Sequence, residues 1–182
     1  MPSNSGAACT PDFYLFAADR RLAYRRQPDS SRPNSGTPVT GADLGAGLAA
    51  LHQAGADGFG WSRDGFIGTV PQRNTPGAPD WPVFWVTHRI GPLVTRALAA
   101  AALDRAAHAL VDRLAAVLPE RAGPAEPPAR VHGDLWSGNA ARLASGEPVI
   151  FDPAVYFGDR ETDLAMTELF GGFPAAFHAA YR

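Results

Sequence analysis

The chain has 182 residues, a formal net charge of −2 and a hydrophobic content of 46%, which suits a soluble globular protein with one core or at most two small domains. The absence of a basic or acidic block excludes an electrostatic footprint for nucleic acid or a membrane surface. Interrupted, alanine-rich apolar runs exclude a membrane-spanning helix. A single cysteine, Cys9, excludes an internal disulfide framework, and with no signal-peptide pattern at the start we expect a cytoplasmic protein.

All 16 cationic side chains are arginines, and the chain contains no lysine. A compositional bias of the genome explains this usage without reference to function. Its chemical consequence is the same whatever the cause: a reaction step that needs a lysine cannot be performed by this chain alone.

The composition predicts that residues 1–40 are a poorly ordered or aberrant N-terminal segment, because residues 20–36 combine few apolar side chains with many turn formers. Within it, residues 12–16 (DFYLF) fit either a short strand or the start of a helix. No glycine-rich phosphate-binding loop is found there.

The first predicted helix begins near Thr40 or Asp43, either of which can cap it, and runs through Gln53. Its apolar positions recur at intervals of four and three residues and form one face: Leu44, Leu48 and Leu51. His52 near its end is interpreted as a packed histidine rather than a ligand.

Residues 55–80 form a long segment rich in glycine, proline and asparagine with embedded aromatic side chains. A loop of this length is usually functional or disordered, and the aromatic residues argue against disorder. Two interpretations stay open: a functional loop, or a loop that lies across a helix and buries Trp61 and Phe66.

Two helical patterns follow. Asp80 caps a helix over residues 81–90 whose aromatic side chains (Trp81, Phe84 and Trp85) face inward, and Gly91-Pro92 kinks or restarts it. A second helix is predicted over residues 99–118, with one apolar face in the core: Leu103, Ala107, Leu110, Leu114 and Val117. Residues 119–128 read as a proline-rich surface linker.

Short strands are predicted at residues 131–132, 140–143 and 148–151, with a hairpin turn at Ser145-Gly146. A helix is predicted from residue 160 or 161 to the glycines at 171–172, and a last helix begins near Pro174. The apolar pattern of this last helix continues to Arg182.

The chemistry-bearing residues concentrate in residues 130–139 (RVHGDLWSGN) and 148–153 (PVIFDP). If the predicted hairpin forms, it brings Asp134, Asn139 and Asp152 to one end of the strands. A carboxylate and an amide oxygen suit Mg²⁺, and the remaining carboxylate can accept a proton, which is the equipment of phosphoryl transfer. Each of the three also fits a turn or cap, so the argument depends on their occurring together in this order. His132 is interpreted as structural rather than as a general base.

Three segments resemble the fructosamine kinase (ketosamine-3-kinase) family, in the aminoglycoside phosphotransferase branch of the protein-kinase-like fold: residues 132–139 (HGDLWSGN), 149–154 (VIFDPA) and 158–166 (GDRETDLAM). The likeness runs from about residue 43 to the end. It implies a mainly α fold with a small β-hairpin, in which residues 41–182 are the large C-terminal lobe and the N-terminal lobe is absent.

The resemblance also implies roles. Asp134 is the proton acceptor for the sugar hydroxyl, Asn139 and Asp152 hold Mg²⁺ and thereby ATP, and Trp136, Asp159 and Glu161 border the substrate. The expected substrates are small-molecule ketosamines or glycated proteins, whose phosphorylation promotes deglycation.

Two departures limit this expectation. Family members bind the ATP phosphates with a lysine of the N-terminal lobe, and this sequence contains no lysine. The helices that close the large lobe in the family are expected after Arg182 and are missing from this sequence. A catalytically inactive kinase-lobe remnant or binding module is therefore a second hypothesis. A metal-dependent hydrolase using His132, Asp134 and Asp152 is a third, which leaves Asn139 without a role.

Overall fold

A computed structural model describes residues 41–143 and 148–182, and the backbone of two short strands before them. These strands, β1 (Phe13–Phe16) and β2 (Leu22–Arg26), pair antiparallel, so residues 13–16 take the strand alternative. The remainder of the predicted N-terminal segment and the predicted turn at Ser145-Gly146 lie outside the described residues.

Helices predominate in the described part of the chain, as the sequence predicts. In chain order they are α1 (Gly41–His52), α2 (Trp81–Trp85), α3 (Gly91–Ala99), α4 (Arg105–Arg121), α5 (Glu161–Leu169) and α6 (Ala175–Tyr181). Among the residues described, no helix combines the length and apolar character needed to cross a bilayer.

The predicted hairpin over residues 140–151 is confirmed, but it is one of several strand pairs. The strands of the described core region are β3 (Gly65–Ile67), β4 (Val70–Gln72), β5 (Ala129–Val131), β6 (Ala140–Arg142), β7 (Pro148–Ile150) and β8 (Tyr156–Gly158). They form three antiparallel pairs, β3–β4, β5–β8 and β6–β7. Sequence periodicity missed the β5–β8 pair because three-residue strands are too short to show alternation.

The first core lies between α1 and α6 and extends beneath the central loop. Its buried members are Leu44, Leu48, Leu135, Ala140 and Phe177. The two helices approach closely at Gly45, where an added Cβ would lie 2.2 Å from the Phe177 carbonyl oxygen. Because Leu135 and Ala140 belong to this core, the loop between β5 and β6 is fixed on α1 and α6.

A second core is mainly aromatic and lies under β5 and β8. Its buried members are Phe59, Ala78, Phe84, Val131 and Tyr156. Residues 55–80 join it through paired backbone hydrogen bonds between Gly60 and Phe157, of 2.8 and 2.7 Å. This segment contains the β3–β4 hairpin, and Phe66 on it is 63% exposed, so the alternative in which the loop buries Phe66 is wrong for this residue: its side chain lies outside the core on a two-stranded ribbon.

The segment from Trp81 to Ala99 is continuously helical. Asp80 caps its start as predicted, with the Val83 N–H donating to the carboxylate at 2.9 Å. Between α2 and α3 lies a π-helical turn over Val86–Ile90. Pro92 has no N–H for the His88 carbonyl, and the Gly91 N–H bonds to Val86 five residues back. The wider register is thus confined to the turn before the proline, and an ordinary α-helix resumes at Gly91. Phe84 is buried, whereas Trp81 and Trp85 are half-buried.

The prediction for α4 was wrong in its start, its end and its buried face. Asp104 caps the helix through the Ala107 N–H at 2.7 Å, and Pro119 lies inside the last turns instead of starting a linker. The face predicted to be core is exposed: Leu110 by 56%, Leu114 by 45% and Val117 by 42%. An amphipathic pattern predicts that a face is to be covered, but it does not identify the covering element.

Candidate active site

The loop between β5 and β6 and the end of β7 bring the three predicted residues together. Asn139 closes a 3₁₀ turn (Ser137–Asn139), and its carbonyl accepts from the Phe151 N–H at 3.0 Å. The Asn139 side-chain amide donates to the Asp134 carbonyl at 2.8 Å and to the Asp134 carboxylate at 3.2 Å. Asp152 directly follows Phe151, so Asp134, Asn139 and Asp152 meet at one end of the β6–β7 hairpin.

Asp152 combines two unusual features. Its backbone lies in the left-handed region with φ of 55°, which costs a non-glycine residue on the order of 1–3 kcal/mol. Its Oδ1 atom is buried and has no hydrogen-bond partner within the described part of the chain. A buried carboxylate oxygen without a donor is costly unless something else coordinates it. Aspartate also adopts the left-handed backbone in turns, so it is the unpartnered oxygen that suits a cation ligand.

The Asp134 side chain is half-buried beside Asn139. Burial raises the pKa of its carboxyl above the ordinary range, and the nearby charge of Asp152 acts in the same direction. The hydrogen bond from Asn139 opposes that rise. A carboxylate with a raised pKa is a better proton acceptor for a hydroxyl than a fully solvated one.

His132 holds the loop in place. Its Nε2 lies 2.9 Å from the Phe151 carbonyl, and its Nδ1 accepts from the Asp134 N–H at 3.3 Å. These partners assign the proton to Nε2. Burial lowers the pKa of His132, which keeps the ring neutral. The geometry therefore favours the structural interpretation over a general base.

Asp163 on α5 is the residue that the sequence interpretation missed. Its side chain is fully buried and accepts from the backbone N–H groups of His132 at 2.7 Å and Gly133 at 2.9 Å. His52 Nε2 lies 2.9 Å from the same carboxylate, while His52 Nδ1 lies 2.7 Å from the Tyr181 hydroxyl. This confirms the prediction of a packed His52. The sequence gives only a weak indication of this role: Asp163 and Thr167 are four residues apart, so that two polar residues share the buried face of α5.

The residues predicted on the substrate side lie in two places. Trp136 is half-buried beside Asp134, packs against Gly138 and meets Phe170 edge-on at 6.4 Å. Asp159 is buried at the start of α5, where its carboxylate accepts from the Glu161 N–H at 2.8 Å, and burial raises its pKa. A substrate contact for these residues stays a prediction.

The donor set fits Mg²⁺ with few protein ligands. Within the described residues there is no group of three histidine, cysteine or acidic side chains suited to a metal. Mg²⁺ in nucleotide sites commonly takes one or two carboxylates and completes its shell with phosphate oxygens and water. The unpartnered oxygen of Asp152 and the adjacent Asn139 match that pattern.

A model of the family described as fructosamine kinase matches residues 34–182. The chain belongs to this family. The family expectation made from residues 132–166 is thereby confirmed.

Relatives of this fructosamine kinase family member carry kinase names. It is similar to a "Probable ketoamine kinase" of Synechocystis, with 51% identity over 76% of this chain and 46% of the relative. It is also similar to the "Protein-ribulosamine 3-kinase, chloroplastic" of Arabidopsis thaliana, with 39% identity over 77% of this chain and 43% of the relative.

Among solved structures, it resembles a Thermobifida fusca protein assigned as a fructosamine-3-kinase, with a TM-score of 0.74 and 41% identity over 86% of this chain and 53% of that chain. The described fold is therefore that of the family. The chain spans about half the length of the curated relatives that it matches.

Proposed function

We propose that the chain provides the proton acceptor and metal ligands of an ATP-dependent kinase that phosphorylates a sugar hydroxyl of ketosamines. The observation that carries the proposal is the meeting of Asp134, Asn139 and Asp152 at one hairpin end, with a buried Asp152 oxygen that lacks a donor. The kinase names of the relatives support ketosamines of the fructosamine or ribulosamine type as acceptors.

In this proposal each residue of the site has a distinct task. Asp134 accepts the proton of the acceptor hydroxyl while the hydroxyl oxygen bonds to the terminal phosphorus of ATP, the bond from that phosphorus to the bridging oxygen breaks, and ADP leaves. Asn139 and Asp152 would hold Mg²⁺, which would neutralise phosphate charge. His132 and Asp163 keep the Asp134 loop in position.

The remaining assignments are part of the same proposal and are supported by the resemblance to the family. Trp136, Asp159 and Glu161 border the substrate, which is a small ketosamine or a glycated protein. Residues 41–182 correspond to the large C-terminal lobe of the kinase-like fold, and we propose a cytoplasmic protein.

A second candidate function is a kinase-like module that does not catalyse transfer. The absence of lysine from the sequence favours it, because no lysine of this chain can hold the ATP phosphates. Losing such electrostatic stabilisation costs about 3 kcal/mol or more of the activation barrier. Calorimetric titration separates the two candidates, since magnesium-dependent ATP binding by the chain would contradict the second.

The decisive experiment measures phosphorylation of a ribulosamine and a fructosamine with Mg-ATP. It uses the chain alone and the chain fused to the N-terminal part of the Synechocystis relative. We expect activity in the fusion and its loss in Asp134→Ala, whereas Asp112→Asn on the exposed surface of α4 leaves it unchanged. If neither protein shows activity that depends on Asp134, the proposal is wrong.

A further inference from the structure

Arg89 lies between two parts of the molecule that are distant in sequence. Its guanidinium carbon is 4.1 Å from the ring centre of Tyr156 and 4.8 Å from that of Phe84. Its two terminal nitrogens donate to the Asn74 side-chain oxygen, at 2.8 Å, and to the Arg73 carbonyl. The side chain therefore contacts the aromatic core on one side and residues 57–79 on the other.

Arg89 belongs to the π-helical turn between α2 and α3. Phe84 lies in the last turn of α2 and Arg89 in the π-helical turn that follows, and the 4.8 Å contact between them shows that they share one side of the helical segment. His88 stacks on the same Phe84 ring, at 4.7 Å between ring centres. His88 and Arg89, consecutive residues of the π-helical turn, therefore both contact Phe84 of the aromatic core.

On the core side, Arg89 contacts Tyr156, and Tyr156 packs against the turn that carries Asp134. Tyr156 is 2% exposed and is paired with Val131 in the β5–β8 ribbon. Gly133 has φ of 83°, and a Cβ added there would lie 3.2 Å from an edge carbon of the Tyr156 ring. The ring therefore lies directly against the backbone between His132 and Asp134.

On the loop side, Arg89 contacts Asn74, and Asn74 makes hydrogen bonds within residues 57–79. Asn74 is 1% exposed, and its backbone N–H donates to the Asp64 carboxylate at 2.8 Å. The Asn74 side-chain amide donates to the Arg63 carbonyl at 3.2 Å, and the Asn74 backbone carbonyl accepts from the Trp61 N–H at 3.3 Å. Asn74 thus fixes both sides of the β3–β4 hairpin base.

We infer that Arg89 is a positioning residue that couples the loop of residues 57–79 to the turn of residues 132–134. A change in the loop reaches the Asp134 carboxylate through Asn74, Arg89 and the Tyr156 ring. The coupling itself is a property of the fold, whereas its effect on phosphoryl transfer rests on the proposed function.

Hydrogen exchange of the whole chain tests the coupling without any need for activity. Asn74→Ala removes the side-chain acceptor for Arg89 and leaves the Arg73 carbonyl, and we expect exchange about tenfold faster in residues 57–79 and also in residues 131–136. Asn74→Asp keeps an acceptor oxygen and should restore native exchange in residues 131–136. Arg96→Gln, on the exposed side of α3, is the matched arginine control and should change neither segment.

A double-variant cycle separates this route from the backbone pair between Gly60 and Phe157. Arg89→Met leaves that pair intact, and if Arg89 carries the coupling, adding Asn74→Ala to Arg89→Met should not accelerate residues 131–136 further. The inference is overturned if Asn74→Ala accelerates residues 57–79 alone or neither segment, or if the two substitutions act additively on residues 131–136. Equal acceleration in α1 overturns it too, because the effect is then global unfolding.

Kinetics of the active fusion test the catalytic consequence. Arg89→Met is expected to lower kcat about tenfold while the KM for ATP stays within twofold, and Arg89→Lys, which keeps the cation over Tyr156, should recover part of the loss. An unchanged kcat overturns the catalytic role. A fusion without any activity counts against the proposed function and leaves the exchange result standing.

Discussion

At the scale of single residues, Asp163 and Asp134 have opposite relations to stability. Asp163 is a fully buried carboxylate whose two oxygens accept from His132, Gly133 and His52, so its charge is compensated. Asp134 is half-buried with a weak 3.2 Å side-chain bond, and burial raises its pKa. Asp163 therefore stabilises the fold, whereas ionisation of Asp134 lowers the free energy of unfolding.

We expect Asp163→Asn to lower the free energy of unfolding by about 3 kcal/mol, because a neutral amide leaves buried donors poorly satisfied. Urea unfolding measures the change. Glu168→Gln, an exposed acidic residue on the same helix, is the control and should shift stability by less than about 0.5 kcal/mol. Equal effects of the two substitutions would contradict the role assigned to Asp163.

Asp134→Asn should stabilise the chain at neutral pH while it removes the proposed proton acceptor. Because the folded-state pKa of Asp134 is raised, its contribution to stability is fully present below the unfolded pKa and is lost as pH rises through the folded pKa. The asparagine variant escapes that loss, so we expect a gain of less than about 1 kcal/mol near pH 7, since solvent screens the half-buried charge.

The pH dependence is the sharper measurement for this residue. Unfolding of the native chain and of Asp134→Asn should be compared from about pH 7 down to about pH 3, and the difference should close as both states of Asp134 become protonated. A gap that widens toward acid would show that the folded-state pKa is lowered, against the expectation.

At the scale of elements, glycine decides how α1 meets α6. Gly45 lies under the Phe177 carbonyl, whereas a Cβ at Gly47, on the exposed side of the same helix, would contact nothing within 4 Å. A helical pattern of glycines and alanines does not distinguish these two positions. Only the location of α6 does.

The two glycines therefore predict opposite results for one substitution. Gly47→Ala should raise the free energy of unfolding by about 0.5–1 kcal/mol through helix propensity. Gly45→Ala should lower it by about 1–3 kcal/mol, because the helices must separate to admit the methyl group. Thermal unfolding of both variants is the measurement, and a stabilised Gly45→Ala would show that α6 does not pack closely here.

At the scale of the whole molecule, the exposed face of α4 is the main difference from the expected core. Leu110 and Leu114 project from this helix with at least 45% of their surface accessible in the described chain. Apolar surface of this kind favours association between molecules.

Replacing Leu110 and Leu114 together by glutamine should change the free energy of unfolding by less than about 0.5 kcal/mol and reduce light scattering. Leu48→Ala in the buried core should cost about 2–5 kcal/mol and serves as the contrast. A large loss of stability from the α4 substitutions would mean that their face is packed within the folded chain.

The sequence by itself determined the family, most helices, the β6–β7 hairpin and the meeting of Asp134, Asn139 and Asp152. These depend on local signals: motif spacing, caps such as Asp80, and strand patterns separated by a short connection. Only the tertiary structure decided that Asp163 holds the central loop, that β8 pairs with β5, and that Arg89 contacts Tyr156. Those contacts join residues far apart in the chain, and burial of one face does not specify which distant group will cover it.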